Sequence, residues 1–519
     1  MLDGPTFSGP GLSGATLWDL IDRRVEATPD ALMAVDEDMR TLSFCEFAIE
    51  AERAAAGLAA YGIGEGSVVS WQLPTWLESL VLVAALSRLG AVQNPILPIY
   101  REREVGFVTN QACSTLLIVP STWNGFAYEE MAMSLAKASA SGLQVLVADH
   151  ALPQGDLSTL PPIPGLLDGP DPVRWLFYTS GTTADPKGAQ HTDASIAAVG
   201  RGMGNCLALT DSDRSALVFP FTHIGGITLL FAGLQFGTAL ILMEAFHPQR
   251  TPEVLSRENV TVAGSGTPFH MAYLAYQRSH LEPVFPNVRV FPGGGAPKPP
   301  QLVYDMFEVF EAPVLSGYGL TEAPILTMAS VTDTLEELAV SEGKAMPGVE
   351  LRIVGFDGAE AEPGGEGEIR AKAPQMMTGY LDPALDAEAF DADGFFRTGD
   401  LGRIDDRGNV IITGRLKDVI IRKGENVSAK EVEDLLFAHP KIADVAVIGV
   451  PDAERGEMVC AVVQLAPGSG GLDLAEVTSY LRDAGLMVQK LPERLEVIDG
   501  IPRNPSGKIL KHELRKQYS

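Results

Sequence analysis

The 519 residues of this chain exceed the roughly 250–300 at which a single hydrophobic core stops growing, so we expect at least two domains. Apolar residues make up 46% of the chain and charged residues 20%, the balance of an ordinary globular protein. With 39 basic and 67 acidic side chains, the net charge of −28 excludes nucleic acid and anionic membrane surfaces as default partners.

The cysteines and the N-terminal segment predict a soluble cytoplasmic protein without stable membrane insertion. No basic segment followed by an apolar core opens the chain, so no signal peptide is predicted. The most apolar early stretch, residues 80–97, is interrupted by Arg88 and is too short to span a bilayer. No CxxC pair is present, which argues against a disulfide framework or a zinc site and suits a reducing compartment; the four cysteines are Cys45, Cys113, Cys206 and Cys460.

The first half of the chain alternates helical and strand-like segments. Residues 16–64 read as helix, strand and helix, and a buried strand, VVSWQLP, precedes a helix that runs through Leu89. The apolar runs LLIVP, LQVLVAD and ALILM repeat this rhythm further on. Strands alternating with helices predict an α/β fold of mostly parallel sheets. A Pro- and Gly-rich run over residues 152–172 predicts a surface linker.

The sequence pattern changes near residue 350, from alternating helical and strand-like segments to short strand-like runs. The short runs LRIVG, GEIRAK and NVIITG alternate with turns and predict a small antiparallel β element. The segments after Arg415 predict a compact α+β tail of strands and helices. We therefore expect a large N-terminal domain over residues 1–416 and a small C-terminal domain over residues 417–519.

The segment WLFYTSGTTADPKGAQHT is the strongest chemical signal. An apolar strand runs into a loop of hydroxyls, glycines and a lysine, whose N–H and hydroxyl donors can wrap phosphate oxygens. The spacing excludes a Walker A loop, and the alternative is a hydrophilic turn. The candidate phosphate ligands are Thr179, Ser180, Gly181, Thr182, Thr183 and Lys187.

Two further strings suit a nucleotide. In VFPGGGAPKP, consecutive glycines let the backbone approach a flat ligand, although a tight turn is an equal alternative. In SGYGLTEAP, Tyr318 offers an aromatic face for a base, Thr321 a hydroxyl for a phosphate and Glu322 an oxygen ligand for magnesium. Taken alone, the tyrosine could equally be a core residue.

Three charged residues in the C-terminal part of the chain are further candidates for binding a nucleotide. Asp400 suits the hydroxyls of a ribose, and Arg415 suits ribose or phosphate oxygens. Lys508 follows a Pro-Ser-Gly turn. For each of the three, the alternative is a solvated surface charge.

Together these strings resemble the adenylate-forming superfamily, which includes acyl-CoA synthetases, adenylation domains of peptide synthetases and beetle-type luciferases. The resemblance runs from about residue 20 to 515, and FRTGDLG, GRLKDVIIRKGENVSAKEVE and PRNPSGKILK are most similar to the medium- and long-chain acyl-CoA synthetases. Ala184 departs from the usual glycine of the phosphate loop, whereas Gly319 and Leu320 lie within the tolerated range.

The resemblance implies a role for each motif. The phosphate loop would clamp the triphosphate, Thr321 would lie near the α-phosphate, Glu322 would bind Mg²⁺, and Lys508 would bridge the acyl carboxylate and the α-phosphate. Asp400 and Arg415 would hold the ribose, and Lys417 would be the hinge about which a mobile C-terminal domain rotates. The adenine pocket would comprise Gly295, Ala296, Pro297 and Tyr318; the tunnel for coenzyme A, Lys423, Gly424 and Glu425; and the acyl pocket, His223 and Gly293.

The implied activity is ATP-dependent formation of an acyl-adenylate, followed by acyl transfer to coenzyme A, with a fatty, alicyclic or steroid side-chain acid as substrate. Three alternatives stay open: a ligase that loads an acyl-carrier protein, a luciferase-like oxidative enzyme and a catalytically silent nucleotide-binding protein. His223 could also be a purely structural histidine. A homodimer is left open.

Overall fold

The computed structural model of the protein describes residues 11–139, 142–165, 171–179, 186–296, 298–422, 425–452, 456–503 and 508–519, with the backbone alone at residues 425 and 426. Its helices are α1 Leu17–Ala27, α2 Phe44–Ala59, α3 Leu77–Arg88, α4 Glu102–Gln111, α5 Tyr128–Ala138, α6 Asp193–Cys206, α7 Ile224–Phe236, α8 Arg250–Arg257, α9 Thr267–Arg278, α10 Pro300–Phe310, α11 Leu335–Val340, α12 Asp386–Ala389, α13 Ala429–Phe437, α14 Leu474–Asp483 and α15 Lys511–Tyr518.

The strands are mostly short. They are β1 Leu32–Asp36, β2 Thr41–Ser43, β3 Val68–Trp71, β4 Val92–Pro95, β5 Leu116–Val119, β6 Thr122–Trp123, β7 Phe126–Ala127, β8 Gln144–Val147, β9 Val173–Thr179, β10 Lys187–Thr192, β11 Arg214–Leu217, β12 Ala239–Leu242, β13 Phe291–Gly294, β14 Val314–Tyr318, β15 Thr327–Met328, β16 Lys344–Ala345, β17 Glu350–Val354, β18 Gly367–Lys372, β19 Gly379–Tyr380, β20 Phe396–Ile404, β21 Val410–Arg415, β22 Val419–Arg422, β23 Glu425–Ser428, β24 Ile442–Asp452, β25 Gly456–Leu465 and β26 Arg494–Val497.

Two large sheets carry the first half of the chain. One has the order β19-β10-β9-β4-β3-β5-β8, parallel from β9 to β8, with β10 and β19 antiparallel at one edge. The other has the order β11-β12-β1-β2, parallel except for β2. Helix α7 is buried around its whole circumference, as expected for a helix enclosed by the core.

Two further sheets contain the strands that border the candidate site. Strands β13 and β14 are parallel, and β15 and β16 extend their sheet in antiparallel pairing. Strands β17, β18, β20 and β21 form an antiparallel sheet, which confirms the β element predicted from residue 350. The strand β20 was not predicted, because its sequence FRTGDLGRI was interpreted only as a motif.

The tail forms a sheet and hydrophobic cores of its own. Its strands follow the order β23-β22-β25-β24, with β26 beside β25. Apolar residues of α13 and α14 cover one core of this sheet, and Leu514 of α15 belongs to a second. A 3-10 turn, Leu416–Asp418, connects β21 in the antiparallel sheet to β22 in the tail.

The predicted fold class, a large N-terminal α/β domain followed by a smaller C-terminal domain, is confirmed. The exact division between residues 416 and 417 stays a prediction. Among the helices of the described ranges, we find none with the length and apolar character required to cross a membrane.

Candidate active site

A cavity of about 170 Å³ lies where the ends of β13, β14 and β21 and the middle of β20 meet the C-terminal tail. Because β13 and β14 are parallel, with Gly294 opposite Gly317, their carboxyl ends reach the same edge. Gly295 and Ala296 follow β13, and Tyr318 ends β14, so all three line the cavity. The two strings that the sequence associates with a base therefore lie together.

The glycine run has a specific steric reason at two positions. A Cβ on Gly294 would lie 2.8 Å from the carbonyl oxygen of Gly317, too close for any other residue on this strand. Gly295 has a φ of +73°, a conformation that glycine adopts without strain, and no atom lies within 4 Å of the position of its absent Cβ. The chain can therefore turn tightly there and leave room for a flat ligand.

Asp400 and Arg415 form one polar unit with Tyr318. They are paired across β20 and β21, and the guanidinium Nε of Arg415 lies 2.7 Å from Oδ1 of Asp400. The Tyr318 hydroxyl donates to Oδ2 of Asp400 over 3.0 Å. Burial raises the pKa of Asp400, whereas Arg415 and the tyrosine hydroxyl favour its charged form. The unit presents a fixed acceptor and a cation at the rim of this cavity.

Lys508 of the tail borders the same cavity. Burial, together with the neighbouring cations Arg415 and Lys417, lowers the pKa of Lys508 to about 8, and Asp400 and Asp418 oppose this shift. Lys508 is therefore mostly charged at neutral pH, but it is easier to deprotonate than an ordinary lysine. Burial is the largest cause of this lower pKa, which argues against the alternative that Lys508 is a solvated surface charge.

Glu322 and Thr321 lie at a second group of side chains. The Tyr380 hydroxyl donates to Oε1 of Glu322 over 2.8 Å, and the Lys187 ammonium lies 5.4 Å from the centre of the Tyr380 ring. The carbonyl of Thr321 lies 2.8 Å from Nε2 of His191. Lys187 begins β10 opposite Thr179 at the end of β9, so these strands bring the ends of the predicted phosphate loop to this group.

His223 borders a smaller cavity of about 20 Å³, which is also lined by Thr321 and by apolar side chains such as Ile96 and Phe177. Burial lowers the pKa of His223 to about 4, so the ring is neutral at neutral pH. Its Nδ1 accepts from the Gly225 N–H over 3.1 Å and caps α7. In the neutral ring Nε2 therefore carries the proton. The residue has a structural contact and also borders a cavity.

Other predicted site residues take different positions. Gly293 lies on β13, where an added Cβ would be 3.0 Å from the His270 ring, and it is not among the lining residues of either cavity. Lys417, the predicted hinge, lies in the 3-10 turn Leu416–Asp418 and lines the larger cavity.

Seven candidates lie outside the described residues, as does Ala184: Ser180, Gly181, Thr182, Thr183, Pro297, Lys423 and Gly424; the side chain of Glu425 does as well.

Several residues at the site were missed by the sequence reasoning. Tyr380 holds Glu322 across 58 positions of sequence, and no motif links the two. Glu342 and Glu433 line the larger cavity, as does Lys511, which lies three residues after Lys508 in KILKHELR. The only signal for Lys511 was its place in that string; Glu342 had none.

A divalent cation is compatible with Glu322. Its Oε1 is held by Tyr380, and a carboxylate oxygen is a ligand that Mg²⁺ prefers. Within the part of the chain that the structure describes, no group of three or more histidine, cysteine, aspartate or glutamate side chains could hold a metal. A single carboxylate suits an ion that takes most of its ligands from phosphate oxygens and water.

The sequence matches the models of a known protein family. The model of the AMP-binding enzymes matches residues 21–381, and the model of the AMP-binding enzyme C-terminal domain matches residues 431–508. A medium-chain fatty-acid–CoA ligase of Escherichia coli is 31% identical over 98% of this chain and 91% of its own length.

Two further relatives extend the range of activities. A salicyl-AMP ligase/salicyl-S-ArCP synthetase of Mycobacterium tuberculosis is 31% identical over 97% of this chain and 91% of its own. The crystal structure of ATP-bound MatB from Rhodopseudomonas palustris superposes with a TM-score of 0.86 at 29% identity, covering 96% of this chain and 99% of that one.

Proposed function

Since this chain belongs to the family of AMP-binding enzymes, we propose that it is an acyl-CoA synthetase acting in two steps. A carboxylate attacks the α-phosphorus of ATP, giving an acyl-adenylate and pyrophosphate. The thiol of coenzyme A then attacks the acyl carbon and AMP leaves. The observation that carries the proposal is that one cavity joins the Gly295–Ala296 edge, the Asp400–Arg415 pair and Lys508.

The nucleoside occupies the larger cavity. The base lies against the backbone of Gly295 and Ala296 and the ring of Tyr318, and the ribose hydroxyls donate to Asp400. Arg415 neutralises this carboxylate and, being about one-third exposed, retains N–H groups for oxygens of the ligand. Tyr318 serves twice, because the hydroxyl that fixes Asp400 belongs to the ring that faces the base.

Lys508 acts in the first step. Attack by one anion on another is slow unless a cation offsets the charge that gathers between them. A buried ammonium in the nucleotide cavity supplies that charge in a surrounding of low dielectric, where it is more effective than in water. No covalent intermediate on the protein is required, so positioning and charge provide most of the acceleration.

Glu322 would hold Mg²⁺, with Tyr380 fixing the carboxylate. When bound, the cation neutralises the phosphate oxygens that carry negative charge during transfer. Lys187 and the hydroxyls of the Thr179–Lys187 loop complete the binding of the triphosphate.

The tail rotates between the steps. Residues 417–519 turn about Lys417, withdraw Lys508 and bring the segment of Lys423, Gly424 and Glu425 to the entry path of coenzyme A. The 3-10 turn Leu416–Asp418 supports this proposal, because it connects two different sheets. Closure of a domain would then switch one active site between two reactions.

The acyl substrate is a fatty, alicyclic or steroid side-chain acid. The smaller cavity supports an apolar acyl group, since Ile96, Phe177 and Ile224 give it apolar walls next to Thr321. The relative that acts on medium-chain fatty acids supports the same class. The cytoplasm is the proposed location, and a homodimer is left open.

The relative named as a salicyl-S-ArCP synthetase favours a second candidate, transfer of the acyl group to a carrier protein. The deciding experiment incubates the protein with ATP, Mg²⁺ and a panel of carboxylic acids, with and without coenzyme A, and follows pyrophosphate, AMP and the thioester. Acid-dependent pyrophosphate release and AMP release that requires coenzyme A support the synthetase. Pyrophosphate release without a coenzyme A thioester would favour the carrier-protein ligase, and no pyrophosphate with any acid would exclude both.

A further inference from the structure

Four carboxylates line the larger cavity, and one of them differs from the others. Three form ion pairs at 2.7 Å: Asp400 with Arg415, Asp418 with Arg515, and Glu433 with Lys511. Glu342 is the fourth, and within the described residues it forms no ion pair of this kind. Its side chain has a hydrogen bond with Ser316 on β14, and Lys298 and Lys430 act on it electrostatically.

Neither lysine is available as a close partner. The Lys298 ammonium donates to the carbonyl oxygens of Leu338 and Ser341, where α11 ends. Lys430 lies 2.5 Å from Asp434. The two cations therefore favour the charged form of Glu342 without occupying its oxygens, which offsets part of the rise in its pKa that burial causes.

The backbone fixes the position of this side chain. The N–H of Glu342 donates to the Val410 carbonyl over 2.8 Å, and its carbonyl accepts from the Thr327 hydroxyl over 2.7 Å. Lys298 anchors the preceding residue through Ser341. A carboxylate held in this way has little freedom to move away from whatever enters the cavity, so it is preorganised as an acceptor.

The cavity that Glu342 lines is the one formed by Gly295, Ala296 and Tyr318. Ser316, its hydrogen-bond partner, lies two residues before Tyr318 on β14. A purine packed against these residues presents either an amino group or an oxygen at position 6, and adenine presents the amino group, which is a donor. A charged acceptor attracts this donor and repels a 6-oxo group.

We propose that Glu342 is a specificity-determining residue for the nucleobase: its carboxylate accepts a hydrogen bond from the 6-amino group of adenine and rejects a 6-oxopurine. The inference rests on the proposed function, because it places adenine at the Gly295–Tyr318 edge. A site built to bond a donor rejects the analogue that lacks it, since the buried acceptor is then left unpaired.

The test compares ATP with inosine triphosphate, which carries an oxygen in place of the 6-amino group. The wild-type protein should favour ATP by roughly tenfold or more in kcat/KM for pyrophosphate release, the effect of one charge-assisted hydrogen bond. Glu342→Gln should reduce that preference by roughly tenfold, because the amide can turn its NH₂ towards the 6-oxo group. Glu336→Gln, the same change at an exposed position of α11, should leave the preference unchanged.

A role for Glu342 in stability or in holding the tail would lower kcat for both nucleotides alike. An unchanged ATP preference in Glu342→Gln would therefore overturn the proposal. Calorimetric titration with AMP and IMP separates it from the proposed function, because it needs no acid. If no acid is activated, a preference for AMP that Glu342→Gln removes would still support the role of Glu342; equal affinities for AMP and IMP in the wild-type protein would contradict it.

Discussion

At the scale of single residues, the candidate site depends on side chains whose behaviour is set by their neighbours and by burial. Lys508 is the clearest of these, because its pKa of about 8 lies far below the ordinary value of 10.5. Glu322 depends on a neighbour in another way, since the Tyr380 hydroxyl fixes one of its two oxygens. Both dependences can be measured without disturbing the fold.

The first step should lose rate as pH rises. Lys508 is protonated below about 8 and neutral above it, so the cation that offsets charge disappears through that pH. Acid-dependent pyrophosphate release should therefore fall above pH 8, approaching tenfold per pH unit. In Lys508→Arg, whose guanidinium stays charged, the remaining activity should show no such fall. The same descending limb in Lys508→Arg would assign it to another group.

Glu322→Gln should raise the Mg²⁺ and ATP concentrations needed for half-maximal rate by roughly tenfold, because a charged ligand is lost from a hard cation. Tyr380→Phe should have the same sign and a smaller size, since it frees the carboxylate without removing it. Titrations of the rate with Mg²⁺ at fixed ATP measure both. Unchanged magnesium dependence in Glu322→Gln would remove this residue from the metal site.

At the scale of elements, the pairing of β20 with β21 holds a deeply buried charge of the site, the carboxylate of Asp400. Asp400 is 3% exposed at its side chain, and Arg415 is 31% exposed. Removing the guanidinium leaves a carboxylate in the interior with the Tyr318 hydroxyl as its hydrogen-bond donor and with Lys508 and Lys417 as the remaining neighbouring cations. Removing one partner of a buried ion pair destabilises a protein by more free energy than the intact pair contributes to its stability.

Arg415→Met should lower the free energy of unfolding by about 2 kcal/mol, less than for a fully buried pair because the arginine is partly exposed. Adding Asp400→Asn should restore much of the loss, since the amide needs no counter-charge and can still accept from Tyr318. Thermal denaturation of the two single variants and the double variant measures the coupling. Additive losses would show that the two strands are not held by this pair.

The elements also show what the sequence could predict. Helices α1, α2 and α13 and strands β3 and β5 were predicted because one buried face or one short apolar run defines each of them. Strand β20 was not, because FRTGDLGRI becomes a strand through its pairing with β18 and β21. The motifs identified Asp400 and Lys508, whereas Tyr380 and Glu342 are functional candidates only through contacts with residues distant in sequence.

At the scale of the whole molecule, Lys508 reaches the larger cavity because the tail is turned towards β20 and β21. The Ser428 hydroxyl donates to the Thr413 carbonyl over 2.5 Å and joins the start of α13 to β21. This arrangement is the one that the proposed first step requires, and the proposed mechanism requires another for the second step.

Proline at the connecting turn should separate the two steps. Lys417→Pro fixes φ near −65°, a value that suits a 3-10 turn, and should retain pyrophosphate release while losing most thioester formation. Leu416→Pro is a second variant with less strain, since the preceding Arg415 is extended, with φ −132° and ψ 141°. Lys417→Ala removes the charge of the side chain but leaves the backbone free to rotate, so this variant should retain both steps. Folded proline variants with both half-reactions intact would exclude rotation at this turn.

The most direct measurement separates the two half-reactions in Lys508→Ala. Acyl-adenylate formation should fall by at least a hundredfold, because only this step gathers charge between carboxylate and phosphate, whereas thioester formation from supplied acyl-AMP and coenzyme A should be largely retained. Lys516→Ala, an exposed lysine of α15, is the matched control and should retain both. Equal loss of the two half-reactions in a folded Lys508→Ala, or adenylation at the wild-type rate, would contradict a cavity in which Lys508 serves the first step alone.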